Sequence, residues 1–163
     1  MLVLAVAGCA ASREEEIYTS PEVSWAGEFS AWQSARPVTS ATAADRLGGA
    51  TFRIGEAIDL ELHPDGEVAY ATLPQGAGEA ESFGGLASFR IEAAGRYSVG
   101  MSAAAWVDVS SDGQPTPAAA FGPGPRGSPV RKFVSFDLTP GNYILEISGS
   151  ETSDVRVMVV AAL

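Results

Sequence analysis

From Ile58 onward, apolar and polar residues alternate in short runs separated by glycine, proline and aspartate. Ile58, Leu60 and Leu62 alternate with Asp59, Glu61 and His63, a period of two that puts the apolar side chains on one face of a strand. Pro64-Asp65-Gly66 reads as a turn, and Val68, Tyr70 and Thr72 resume the alternation, so a hairpin is predicted with His63 beside its turn and facing solvent. Residues 73–85 have too much glycine and too little period for a strand and read as a connecting loop. Phe89, Ile91 and Ala93 precede Ala94-Gly95, and Tyr97, Val99 and Met101 follow it, which predicts a second hairpin. Trp106, Val107 and Val109 lead into Ser110-Ser111-Asp112-Gly113, and residues 115–129 read as a long Gly/Pro loop. Val134, Phe136 and Leu138 then approach Pro140-Gly141, a type II turn pair, and Tyr143, Leu145 and Ile147 answer them. Val155, Val157 and Val159 supply the last strand.

Two segments echo each other. Residues 89–102 (FRIEAAGRYSVGMS) and 136–148 (FDLTPGNYILEIS) share an aromatic, an aliphatic two positions later, a glycine turn, and a Tyr with another aliphatic two positions on. No amphipathic helix of useful length interrupts the pattern after residue 50. Repeated hairpins at this spacing predict an all-β fold, an antiparallel β-sandwich of about seven to nine strands.

Upstream the pattern is different. Residues 10–48 mix Ser, Thr, Ala, Pro and Glu without a sustained period, the composition of a tether. Within it Trp25, Phe29 and Trp32 fall at i, i+4 and i+7, one face of a helix, as in a short helical turn docked on the domain or an exposed stripe for a partner. Ahead of the tether, residues 1–8 (MLVLAVAG) form an uncharged apolar run too short to span a bilayer, and Cys9 follows as the sole cysteine of 163 residues. A lone cysteine closes no intramolecular disulfide, and with only His63 as an imidazole it is a poor start for a zinc site. The organisation expected is a leader over 1–8, a tether over 9–48 and a sandwich over 49–163.

Charge narrows the partners. A formal net charge of -10, with ten scattered basic residues, disfavours nucleic acid, whose phosphates need clustered Lys and Arg, and equally disfavours electrostatic docking on anionic lipid.

Val6-Ala7-Gly8-Cys9 resembles the lipobox of bacterial lipoproteins, in which an aliphatic and two small residues precede a cysteine that is lipidated. The resemblance implies a lipid anchor on Cys9, a location in the bacterial cell envelope and, with Ala10 and not Asp next, the outer membrane, at its periplasmic face or the cell surface. The alternative is an ordinary cleaved signal or a chance apolar start with an idle thiol. Two or more acyl chains, at about 0.8 kcal/mol per buried methylene, hold a protein on a membrane without help from its own surface. The phrases AGRYSV and LTPGNYILEIS resemble the terminal hairpin of pre-peptidase C-terminal domains, jelly-roll-like sandwiches, which implies an accessory or chaperone-like module for a secreted enzyme. Residues 83–160 also resemble small bacterial envelope proteins with an aromatic-Val-Asp-Val strand, a Gly/Pro loop and a basic strand, here Trp106 to Val109, Gly122 to Gly127 and Arg131 to Phe136. Where some of those proteins have histidines and a cysteine in the loop, this chain has Phe121, Pro123 and Arg126, so the resemblance implies no metal site.

Candidate chemistry is sparse. Asp108, Ser110, Asp112 and Gly113 match the first half of an EF-hand calcium loop, but the twelfth position, which needs a bidentate Glu, is Ala119, so a polar hairpin turn is the stronger reading. A nucleophilic triad would have to run through His63. The pairs Asp59/Glu61 and Glu79/Glu81 read as solvated carboxylates. No cofactor is expected. Arg126, Arg131 and Lys132 are the densest positive cluster; with Phe121 and Trp106 they form the candidate site for a glycan or protein partner, against a plainer reading of surface cations and a core Trp106. A non-catalytic, lipid-anchored binding protein is the leading expectation.

Overall fold

The computed structural model describes residues 27, 29–71 and 81–162; Cys9, Trp25, Thr72 and Glu79 lie outside the described residues. Two sheets pack face to face. The first contains β1 (Arg36–Thr39), β2 (Ala57–Glu61), β11 (Asp154–Ala161), β5 (Gly95–Met101), β9 (Lys132–Leu138) and β8 (Ala118–Pro123), in that spatial order. The second contains β3 (His63–Pro64), β4 (Phe83–Ile91), β10 (Gly141–Ser150), β6 (Trp106–Ser111) and β7 (Gln114–Thr116). All pairings are antiparallel except β1 with β2. The core is built from the alternating residues that the sequence marks: Ile58 and Leu60, Val155, Val157 and Val159 from one sheet, and Phe89, Ile91, Leu145 and Ile147 from the other. The expected β-sandwich is the fold, with eleven strands among the described residues.

The two echoing segments are not hairpins. β4 and β5 lie in different sheets, as do β9 and β10, so each Gly-x-Tyr turn carries the chain across the sandwich. The arches pair with each other, β4 on β10 and β5 on β9, which sets Phe89 opposite Tyr143 and Tyr97 opposite Phe136. The rings of Phe89 and Tyr143 stack at 5.8 Å. Each tyrosine closes its arch: Tyr97 Oη donates to the Ala93 carbonyl at 2.7 Å, and Tyr143 Oη to that of Thr139 at 3.0 Å, both four residues upstream, the geometry of a tyrosine corner. Gly141 does not take the positive φ that a type II turn requires; it already belongs to β10, where the Tyr143 ring packs beside it.

Three further expectations are corrected. Leu62 is not followed by the return strand of a hairpin: β2 belongs to one sheet and His63–Pro64 pairs with β4 in the other. Asp65–Glu67 form a single 3-10 turn and Val68 to Ala71 form no strand, because Asp65 is buried and the segment is tied across β4 and β10. Gly84 lies under this strap; a methyl group there would overlap the Tyr70 hydroxyl, the Asp65 carboxylate and the Ile147 carbonyl. The loop expected over 115–129 contains most of β7 and all of β8, edge strands with no buried residue, so no apolar alternation marks them.

Residues 29–48, expected in the tether, are packed on the sandwich. Ser30–Ser34 make a 3-10 turn, β1 adds a parallel strand to β2, and Ala44–Gly49 make a second 3-10 segment. Phe29 and Trp32, edge-to-face at 6.0 Å, form a second apolar cluster with Ala57, Val130, Met158 and Val160. Ala57 faces Met158 in register, so this cluster covers the side of the first sheet opposite the main core. Arg156 holds the turn from below, donating to the Trp32 carbonyl at 3.0 Å while gripping both oxygens of Asp59 at 2.7 and 2.9 Å.

Candidate functional site

Alternation along β6 places Val107 and Val109 in the core and Trp106 on the other side, together with Asp108 and Ser110. Trp106 is therefore not the core tryptophan of the plainer reading: it is 49 % exposed. β7 pairs only with Val109 to Ser111, so the Trp106–Asp108 half of β6 has no strand beside it on that side. Phe121, 59 % exposed, is carried by the edge strand β8. It sits opposite Val134 on β9 and Pro123 sits opposite Lys132, so Phe121 and Lys132 share one side of the first sheet. Trp106 and Phe121 are the large exposed apolar side chains among the described residues.

Lys132 joins the sheets at this end. Its Nζ donates to the Ala105 carbonyl at 2.7 Å and lies 5.2 Å from the centroid of the Trp106 ring, within cation-π range. Burial pushes the Lys132 ammonium below the usual lysine range, opposed by the charge of Asp108. Burial likewise pushes the Asp108 carboxyl up, opposed by Lys132. Each charge is thus partly desolvated and incompletely compensated by the other. Such a pair can form hydrogen bonds with a partner's hydroxyl or amide groups, while the indole offers a flat apolar surface.

The rest of the candidate cluster is looser. Arg126 sits in a tight turn closed by Ser128 on the Pro125 carbonyl at 2.7 Å, and Arg131 is held through its backbone, its N–H on the Met101 carbonyl at 2.7 Å. Both side chains are exposed, and neither makes an ion pair or ring contact among the described residues. The structure joins Trp106, Asp108 and Lys132; it places Phe121, Arg126 and Arg131 on the strand and turn leading to them.

The remaining candidates are committed elsewhere. Asp108 and Ser110 lie on a strand, not in a loop, and Ser110 Oγ donates to Glu146 at 2.6 Å; Asp112 and Gly113, both at positive φ, make the β6–β7 turn. Among the described residues no three of His, Cys, Asp and Glu come together. His63 is not a solvent-facing turn residue: its Nε2 lies 3.0 Å from the Ser40 carbonyl, and the ring is half-buried. Asp59, expected to be solvated, is held below the usual carboxylate range by its hydrogen bonds to Arg156.

Sequence reasoning did not find the carboxylates under the strap. Glu146, 3 % exposed, accepts from Ser110 Oγ at 2.6 Å and from the Ala71 N–H at 2.9 Å. Asp65 accepts from Tyr70 Oη, from Ser82 Oγ at 2.6 Å and from the Gly149 N–H at 2.9 Å. These are structural anchors whose donors are all neutral. Burial and the bond to Asp65 push the Tyr70 phenol well above its ordinary range.

No family model matches this chain, and no curated protein matches it. Among the described residues no helix is long and apolar enough to cross a membrane.

Proposed function

We propose that the sandwich is a non-catalytic binding module of the bacterial cell envelope, tethered by lipid on Cys9, which takes a glycan or protein partner at its Trp106–Phe121 end. One observation carries this reading: Trp106 is half exposed beside a partly desolvated Lys132, whereas Trp32 and Phe29, Phe89 and Phe136 are buried. An exposed indole at a sheet end contributes nothing to the core, and stacking on an apolar sugar face or a peptide side chain is the use that its chemistry suits.

Screening the purified protein on glycan and peptide arrays is expected to give a ligand whose affinity falls at least tenfold in Trp106→Ala and is weakened in Lys132→Gln. Equal binding by wild type and Trp106→Ala would remove this site. The anchor has its own test: labelled palmitate is expected on the wild-type chain expressed in a bacterium and absent from Cys9→Ser, and equal labelling of both would overturn it.

A further inference from the structure

A second site lies at the opposite end of β5 from Lys132. There the chain crosses between the sheets twice, through residues 51–55, which run from a bridge with Ser88 to a hydrogen bond on the Val159 carbonyl, and through residues 92–94, which join β4 to β5. Between them is a cleft of about 600 Å³ lined by Phe52, Arg53, Ile54, Arg90, Tyr97 and Ala161, with Glu92 and Ala93 also at its wall. Volumes of about 300–1,000 Å³ suit small ligands.

The floor is rigid. Phe52 and Tyr97 are buried, the Phe52 ring packs on Phe89 at 5.6 Å, and Tyr97 Oη is fixed on the Ala93 carbonyl. Two arginines against the single carboxylate of Glu92 leave the walls net cationic in a chain of net charge -10. Arg53 and Arg90 are both exposed. Among the described residues the Arg53 guanidinium makes no hydrogen bond or ion pair, although the Glu56 carboxylate is near enough to feel its charge. Arg90 makes one long hydrogen bond, 3.3 Å, to the Asn142 side chain. The other arginines with nearby acids are engaged: Arg36 with Glu56, Arg96 with Asp137 and Arg156 with Asp59. Two guanidiniums with spare donors over this floor match a carboxylate carried on an apolar body, because the planar fork pairs with the anion while Ile54, Ala93, Ala161 and the accessible edges of the two rings take the rest.

We infer that the cleft between the 51–55 and 92–94 crossings binds a small carboxylate with an apolar body, held by Arg53 and Arg90 over Phe52 and Tyr97. This site is separate from the Trp106 end and does not depend on it. The test is a titration of the protein, followed by amide chemical shifts, with three probes: 4-phenylbutyrate, 4-phenylbutanol and sodium sulfate. The carboxylate is expected to move the signals of residues 52–54 and 92–93 to saturation. The alcohol, which lacks the charge, and sulfate, which lacks the apolar body, are each expected to bind at least tenfold more weakly. Arg53→Gln and Arg90→Gln should each lose at least tenfold in affinity for the carboxylate, whereas Arg46→Gln, an exposed arginine outside the cleft, should lose none. No shift with phenylbutyrate, equal binding of the alcohol or of sulfate, or equal loss in all three variants would overturn the inference.

Discussion

Replacing Trp32 with alanine is expected to lower the free energy of unfolding by about 3–5 kcal/mol, the range for deleting a large buried aromatic. That is a large part of the about 5–15 kcal/mol that holds an ordinary domain. The side chain is nearly inaccessible, packed with Phe29, Ala57, Met158 and Val160 on the side of the first sheet opposite the core. Its loss opens a hole that β2 and β11 cannot collapse into, since their other face is already filled by Ile58, Leu60, Val155 and Val157. Urea denaturation of the variant should show an earlier midpoint. Trp106→Ala, at a half-exposed position, should shift the midpoint far less. If Trp32→Ala matched the wild type, residues 29–35 would be a loose tether and not a layer of the fold.

That contrast between two tryptophans shows what the sequence makes legible. In Trp106-Val107-Asp108-Val109 the period of two assigns Trp106 to the side of Asp108 and away from the valines, so its exposure was readable from its neighbours. Trp32 has no such frame, because the 29–35 segment is neither a strand nor a full helix and its burial depends on Met158 and Val160, over 120 positions away. A period of two also fixes faces without fixing partners. The strands around Gly95 and Gly141 were therefore legible as strands, while nothing local says that each turn crosses between sheets. The echo carries that information only once the tyrosine corners are seen: the repeated Gly-x-Tyr is needed to close an arch, and the two arches pair with each other. β8 is not legible in the sequence because Ala118 to Pro123 is an edge with no buried face to mark it. The Arg53–Arg90 cleft is not legible for a different reason: its two arginines are 37 positions apart and come to one cleft only through the crossings at residues 51–55 and 92–94.

Asp65 provides the sharpest stability test, because the two obvious substitutions should part company. In Asp65→Ala the Gly149 N–H and the Ser82 hydroxyl lose a shared acceptor, and Tyr70 keeps only the Ile147 carbonyl at 3.1 Å. Hydrogen bonds to a charged group contribute about 1.5–3 kcal/mol each, and a buried donor left without an acceptor costs about 1–3 kcal/mol, so a loss of about 3 kcal/mol or more is expected. In Asp65→Asn the amide oxygen can take the place of the carboxylate oxygen that accepts from Ser82 and Gly149. The amide NH2 then faces Tyr70 Oη, which accepts from it and turns its own hydrogen to the Ile147 carbonyl. The donors that the carboxylate served all keep an acceptor, and the losses are the charge assistance and one amide N–H with no acceptor, so the cost should be about 1–2 kcal/mol, below that of the alanine variant. Thermal or urea unfolding of the two variants measures the difference, and hydrogen exchange at the Gly149 amide reports it locally: fast in the alanine variant, protected in the asparagine variant. Equal destabilisation by both would mean that the strap is held by the negative charge itself and not by the geometry of its acceptors.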